Sequence, residues 1–112
     1  MRPEDRIRLQ HMLDAARDAL SFAEGRQRRD LDSDRQLVLA IVKCVEIIGE
    51  AASRVSPGAR SEARELPWED MVAMRHRLVH AYYEVNLDIV WSTVRHDLPP
   101  LAEAVEQALG RT

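Results

Sequence analysis

A nine-residue stretch, RHRLVHAYY at residues 75–83, carries the side chains of this sequence that are best suited to chemistry. Arg75 offers a planar guanidinium that can hold phosphate oxygens and stabilise the charge on a pentacoordinate phosphorus. The imidazole of His80 can take a proton from a ribose 2′-OH or give one to a leaving 5′-oxygen. An arginine and a histidine together therefore suit phosphoryl transfer, and this chemistry needs no metal ion.

Three other interpretations of the same stretch stay open. His76 and His80, with Glu84 one turn further along, have the spacing of a three-ligand metal stripe, although the sequence has no HExxH motif and no cysteine partner. The arginines and histidines can instead form a solvated basic face paired with neighbouring acids, which is the usual fate of charges on a helix. Tyr82 and Tyr83 can simply pack, and we expect this for Tyr83.

Hydrophobic periodicity and capping residues predict the elements that must position these side chains. Ala, Leu, Val, Ile, Glu and Arg dominate the sequence, only 4% of the residues are aromatic, and no segment reads as a strand. The expected fold class is therefore all-α. The predicted helices cover residues 4–24, 34–55, 67–84, 87–98 and 101–110, with a polar connector after Gly25 and an interruption at Pro99 and Pro100.

Two of the predicted helices are too apolar to be covered on one side only. In the helix over 34–55 the polar side chains form one narrow stripe, which consists of Gln36, Lys43, Glu46, Glu50 and Arg54. The helix over 67–84 has a second apolar flank beside His76 and His80. A second copy of the chain is the expected source of the extra cover, and a fully interior helix in a monomeric bundle is the alternative.

Pairing of two chains would also bring the reactive groups together. On one continuous helix Arg75 and His80 lie roughly 140° apart, so they cannot converge on one small ligand. Two-fold pairing of this helix could place both groups from both chains in one cleft.

Size, charge and cysteine content narrow the class of protein. The 112 residues are expected to form a single domain over 1–112, and the net charge of -3 means that any anion site must be local. Cys44 is the one cysteine, which excludes an intramolecular disulfide and a multi-thiolate metal site. The N-terminus lacks the apolar core of a signal peptide and no stretch is long enough to span a membrane, so we expect a cytoplasmic protein.

The segment from Arg75 to Tyr82 resembles the R-x4-H-x-Y motif of HEPN-domain proteins, and in particular the HepT toxin family. The likeness includes CVEIIGEAASRVS in the preceding helix and LPWEDMVAMRHRLVHAYYEVNLDIVWSTVRHDLPPL around the motif. It covers most of residues 34–101 and, weakly, the N-terminal helix. One departure is His76, since the residue after the motif arginine is commonly asparagine.

The resemblance implies a HEPN-like antiparallel bundle of four to five helices that forms a homodimer with both motifs facing one cleft. It implies a toxin that cuts RNA without a metal ion or other cofactor, by attack of the 2′-oxygen. Arg75 would hold phosphate, His80 would be the acid and base, and His76 is a candidate to assist. An MNT-type nucleotidyltransferase antitoxin would add AMP to Tyr82. From its place on the polar stripe, not from the resemblance, we add Glu50 as a possible cleft residue.

A second function remains open at the level of sequence. The chain could be a non-catalytic partner of a nucleotidyltransferase that binds a nucleotide or presents Tyr82 as a substrate. Its acidic charge slightly favours this alternative, because an acidic protein gains little long-range attraction for RNA. The intact pair of Arg75 and His80 favours the ribonuclease.

Overall fold

The computed structural model describes residues 1–81 and 84–111, and for residues 79–81 it describes the backbone only. Within this part of the chain the elements, in order, are α1 (Pro3–Ala23), α2 (Asp30–Ser33), α3 (Arg35–Ser53), α4 (Pro57–Glu62), α5 (Trp68–Leu78), β1 (Val79–Ala81), β2 (Glu84–Val85), α6 (Leu87–Ser92), a π-helical segment (Thr93–Asp97) and α7 (Leu98–Gly110). The predicted all-α class is confirmed, with one very short hairpin as an addition.

Helix α3 lies at the centre of the bundle and packs against both α1 and α5. It begins at Asp34, whose carboxylate accepts the Leu37 N–H at 3.0 Å and so caps the first turn. Its inner face is fully buried and consists of Ile41, Val45 and Ile48. Helix α7 covers α1 on the other side. The core therefore runs through α1 and α3, as the periodicity predicts.

Helices α3 and α5 are antiparallel and approach each other closely at Gly49. A Cβ at this position would lie 3.2 Å from the Met71 carbonyl oxygen and 3.5 Å from that of Val72. Because a helix backbone cannot move aside as a side chain can, a larger residue would separate the two helices. Gly49 thus sets the distance between the polar stripe of α3 and the start of the RHRLVHAYY stretch.

The helix predicted to run to about Glu84 ends at Leu78 instead. Val79 and Ala81 pair with Val85 and Glu84 in an antiparallel ladder that contains a bulge. The Asn86 N–H donates to the Leu78 carbonyl at 2.8 Å, which satisfies a carbonyl at the end of α5. The prediction of one continuous helix was wrong because the chain turns back to this bond, and the angle of roughly 140° between Arg75 and His80 no longer applies.

The two prolines near residue 100 do not break the helix as predicted. Pro99 and Pro100 lie in the first turn of α7, directly after the π-helical segment Thr93–Asp97. Neither proline has an N–H, so the carbonyls of Arg95 and His96 lose their usual α-helical donors. The wider π turn accommodates this loss, and the helical path continues from Leu87 to Gly110.

A buried carboxylate joins the start of α1 to the start of α4. Asp5 is 1% exposed and accepts the Ser56 N–H at 2.9 Å and the Ser56 hydroxyl at 2.7 Å. Burial alone would raise the pKa of Asp5, but the bonds from Ser56 and the nearby Arg2 lower it overall. The charge is therefore part of the folded structure.

Candidate functional site

Helices α1, α3 and α5 line an open groove of about 920 Å³ on one side of the bundle. We call it the α1/α3/α5 groove. The side chains that line it and that matter below are Ile7, Arg8 and His11 from α1, Lys43, Glu46, Ile47 and Glu50 from α3, Arg54 directly after α3, and Val72, Arg75 and His76 from α5. The polar stripe predicted for the helix over 34–55 thus forms much of one wall.

Arg75 is held at the groove by a carboxylate of the neighbouring helix. Its Nε donates to Glu46 Oε1 at 3.0 Å, and the side chains are 48% and 34% exposed. This single bond uses one of the five N–H groups of the guanidinium. Among the described side chains no partner is found for the two Nη groups, which carry the other four donors. The geometry therefore leaves one edge of Arg75 able to bind an anion.

The charge around the groove differs in sign from the charge of the chain. The described lining includes four cations, Arg8, Lys43, Arg54 and Arg75, against three carboxylates, Glu4, Glu46 and Glu50, which gives a formal charge of +1 before the histidines are counted. The whole chain carries -3. Any anion site on this acidic protein must be local, and the local charge of the groove is of the sign that an anion site needs.

Three apolar side chains on the groove remain accessible. Ile7 is 55% exposed, and Ile47 and Val72 are each 37% exposed. One comes from each of the three helices, and we call these three side chains of the groove the apolar patch. The predicted second cover of these helices is not supplied by the described part of the chain.

The predicted site residues fall into two groups. Arg75, His76 and Glu50 line the same groove. Glu50 receives a hydrogen bond from Arg54 Nε at 2.8 Å, so it is engaged with a neighbour on its own helix. The backbone of His80 lies in β1, its side chain is outside the described residues, and so is Tyr82. The catalytic role of His80 and the modification of Tyr82 stay predictions.

Glu46 is a residue that the sequence did not single out. It appears on the predicted polar stripe, one turn before Glu50. Its bond to Arg75 depends on how α3 packs against α5, and nothing in the local sequence specifies that pairing. Helical periodicity could therefore find the stripe but could not choose between its two glutamates.

The metal interpretation loses its geometric basis. Because α5 ends at Leu78, His76, His80 and Glu84 do not follow one another on a single helix. Within the described residues no group of three or more histidine, cysteine, aspartate or glutamate side chains is placed to hold a metal ion. Cys44 is buried, and burial, with a smaller contribution from Asp18, raises the pKa of its thiol. That thiol is part of the packing.

The bundle of helices agrees with the fold class that the resemblance implied, and the chain belongs to the HepT-like family. Residues 12–108 match this family, which is described as Ribonuclease HepT-like. The chain is 32% identical over 101 residues to "Putative RNase TTE0752" of Caldanaerobacter subterraneus subsp. tengcongensis, covering 90% of each protein. It is 35% identical over 78 residues to "Probable ribonuclease HepT" of Thermococcus cleftensis, covering 70% of this chain and 71% of that protein.

A third relative is "Putative RNase MJ1380" of Methanocaldococcus jannaschii, with 28% identity over 98 residues, 88% of this chain and 90% of that protein. No solved structure matches the chain significantly. In the described part of the chain, none of the helices has the length and apolar character needed to cross a lipid bilayer.

Proposed function

We propose that this protein is a cytoplasmic toxin ribonuclease that cuts single-stranded RNA without a metal ion, as a homodimer. The observation that carries the proposal is that the two Nη groups of Arg75, on a locally cationic groove, have no partner among the described side chains. Membership of the Ribonuclease HepT-like family, and relatives that are named as RNases, support the same reaction class.

The proposed reaction transfers a phosphoryl group within the RNA strand. The ribose 2′-oxygen attacks the adjacent phosphorus, the bond from phosphorus to the 5′-oxygen breaks, and the products are a 2′,3′-cyclic phosphate and a 5′-hydroxyl. His80 takes the 2′-proton or protonates the leaving 5′-oxygen, and paired copies of His80 could perform both transfers. Arg75 binds the phosphate oxygens and stabilises the added negative charge on phosphorus. His76 and Glu50 are placed on the groove to assist.

The accessible apolar patch supports the homodimer. Ile7, Ile47 and Val72 remain exposed around the groove, and Leu39, two turns before Ile47 on the outer face of α3, is 49% exposed. Burying such residues against a second copy would give a favourable hydrophobic contribution to association. Because Ile7, Ile47 and Val72 line the same groove as Arg75, a second copy bound there would also form the far wall of the cleft.

Neutralisation is proposed to occur by AMPylation of Tyr82 by an MNT-type nucleotidyltransferase antitoxin. An AMP group adds a bulky anion close in sequence to Arg75, where it would fill the cleft and compete for the positive charge. After coexpression with such an enzyme, the intact mass should rise by whole adenylyl units, and it should not rise for Tyr82→Phe. An unchanged mass of the wild-type protein would contradict this part of the proposal.

The cleavage itself is tested with purified protein and single-stranded RNA in the presence of EDTA. We expect cleavage that leaves a cyclic phosphate, and at least a hundredfold loss in both Arg75→Ala and His80→Ala, since each removes a group from the transition state. Undiminished cleavage by His80→Ala would point to a contaminating nuclease.

A non-catalytic partner of a nucleotidyltransferase is the second candidate, and the net charge of -3 is the observation that favours it. Wild-type protein that binds nucleotide or undergoes AMPylation, but leaves RNA intact in the same assay, would establish this role and exclude the ribonuclease.

A further inference from the structure

From the contact between α3 and α5, we infer that Glu46 is a positioning residue that orients the guanidinium of Arg75 for phosphate. This inference rests on the proposed function of the groove and adds a residue that neither the motif nor the family match identifies.

The bond between the two residues fixes one edge of the guanidinium and leaves another accessible. Glu46 Oε1 accepts the N–H of Arg75 Nε at 3.0 Å. A guanidinium has two edges that can bind an oxyanion through two parallel N–H bonds, and the edge formed by both Nη atoms does not involve Nε. Glu46 therefore occupies Nε without blocking the two-Nη edge.

Fixing the guanidinium reduces the cost of binding phosphate. A free arginine side chain has several rotatable bonds, and ordering it costs free energy that is subtracted from the binding free energy. Arg75 is 48% exposed, so packing alone does not hold it. The bond to Glu46 is the restraint on its head group among the described contacts.

The backbone around the pair supports this restraint. Gly49 lies one turn after Glu46 on α3, and Met71 lies one turn before Arg75 on α5. The close approach of Gly49 to the Met71 carbonyl brings the two helices together at this level. Glu46 and Arg75 thus extend from two helices whose separation is fixed. Two side chains on mobile loops would not be held at such a constant distance.

Glu50 differs from Glu46 although both lie on the groove side of α3. Glu50 is paired with Arg54, four residues further along the chain at the C-terminal end of the same helix. A bond within one helix can form whatever the packing of α5, whereas the bond from Glu46 to Arg75 exists only in the folded bundle. Of the two glutamates, only Glu46 is therefore placed to act through Arg75.

Removing Glu46 has two opposite effects, and the test must separate them. Loss of the carboxylate charge makes the groove more positive, which strengthens attraction for RNA and favours cleavage. Loss of the hydrogen-bond acceptor leaves the guanidinium of Arg75 without its restraint, which slows cleavage. Glu46→Ala and Glu46→Gln remove the same charge, but the glutamine amide oxygen can still accept the Nε–H of Arg75. The difference between these two variants therefore isolates positioning.

We expect Glu46→Ala to cleave RNA about tenfold more slowly than Glu46→Gln, because loss of orientation at a reacting phosphate is costly but the guanidinium itself remains. Glu106→Ala is the matched control, since it removes the partner of Arg17 on the surface, outside the groove, where the two side chains lie 2.8 Å apart. It should leave the rate within about twofold of the wild type. Equal rates for Glu46→Ala and Glu46→Gln, or a Glu46→Ala that cleaves faster than Glu46→Gln, would overturn the inference.

A binding measurement separates this inference from the proposed function. A single-stranded 2′-O-methyl RNA lacks the attacking hydroxyl, so its affinity can be measured by fluorescence anisotropy whether or not the protein cleaves. The difference in affinity between Glu46→Ala and Glu46→Gln should disappear when Arg75→Ala is added to both. A difference that persists without Arg75 would show that Glu46 acts in another way. If the wild type binds this RNA but never cuts the unmodified strand, the ribonuclease fails, and the same comparison still decides the role of Glu46.

Discussion

The two faces of α3 differ in what they contribute to the molecule. The inner face carries Ile41, Val45 and Ile48, which are fully buried. The outer face carries Glu46, Ile47 and Glu50, which line the groove and remain accessible. Residues that adjoin in sequence therefore have separate roles, one in holding the bundle and the other in forming a site. A helix in the middle of a small bundle can serve both purposes because side chains 100° apart face different surroundings.

The sharpest test of this difference compares two adjacent isoleucines. Ile48→Ala should lower the free energy of unfolding by about 3 kcal/mol, because it leaves a cavity in the core. Ile47→Ala should lower it by about 1 kcal/mol or less in dilute protein, because Ile47 is 37% exposed and its truncation removes less buried apolar surface. Urea denaturation followed by circular dichroism measures both. Equal losses at low concentration would contradict the division between the two faces.

The buried Asp5 should give the next largest effect and a defined pH dependence. Asp5→Asn should cost about 2 kcal/mol near neutral pH, because the charged acceptor of the two Ser56 bonds is lost. The pKa of Asp5 is lowered from its ordinary value of 3.8, so its contribution is complete above that value and is lost as the pH falls through the folded pKa. The difference between wild type and variant should therefore shrink in acid.

Asp14→Asn provides the control for this pH dependence. Asp14 is on the exposed side of α1 and bonds only to Gln10 among the described contacts. At each pH between about 3 and 7, the unfolding free energy of Asp14→Asn should be almost the same as that of the wild type. A pH profile for Asp5→Asn that runs parallel to the wild type would show that the Asp5 charge does not contribute as described.

The smallest of these effects concerns the junction between the packed bundle and the RHRLVHAYY stretch. Asn86 caps α6 by accepting the Ile89 N–H at 3.1 Å, directly after the hairpin. Asn86→Ala should cost about 1 kcal/mol in thermal or chemical denaturation, and Asn86→Ser should recover most of it because serine also caps helices. Equal stabilities of the two variants would argue against this cap.

Patterns within a single helix were the part of the structure that the sequence predicted well. The buried face of α3 and the polar stripe on its other side both follow from periodicity. The hairpin after Leu78 was missed because it is closed by a bond from Asn86, which precedes one predicted helix, to Leu78, which was predicted to lie inside another. Local secondary-structure propensity does not predict a hydrogen bond of this kind between separate elements.

The candidate site shows the same limit. Arg75, His76 and Glu50 were selected from the sequence and all three line the groove. Glu46 was missed because its partner lies on another helix, 29 positions away in sequence. The roles of His80 and Tyr82 come from the motif and stay predictions. Residue types and motif spacing could therefore indicate the chemistry, but only the packing of α3 on α5 identifies the neighbours of Arg75.

The most direct test of the whole account is the oligomeric state and RNA cleavage of Ile47→Asp. A charge on the apolar patch should prevent a second copy from covering the groove, while the fold is retained because Ile47 is not part of the core. In analytical ultracentrifugation we expect a wild-type dimer and a folded, monomeric Ile47→Asp that no longer cleaves RNA. A folded monomer that cleaves as well as the wild type would contradict the account.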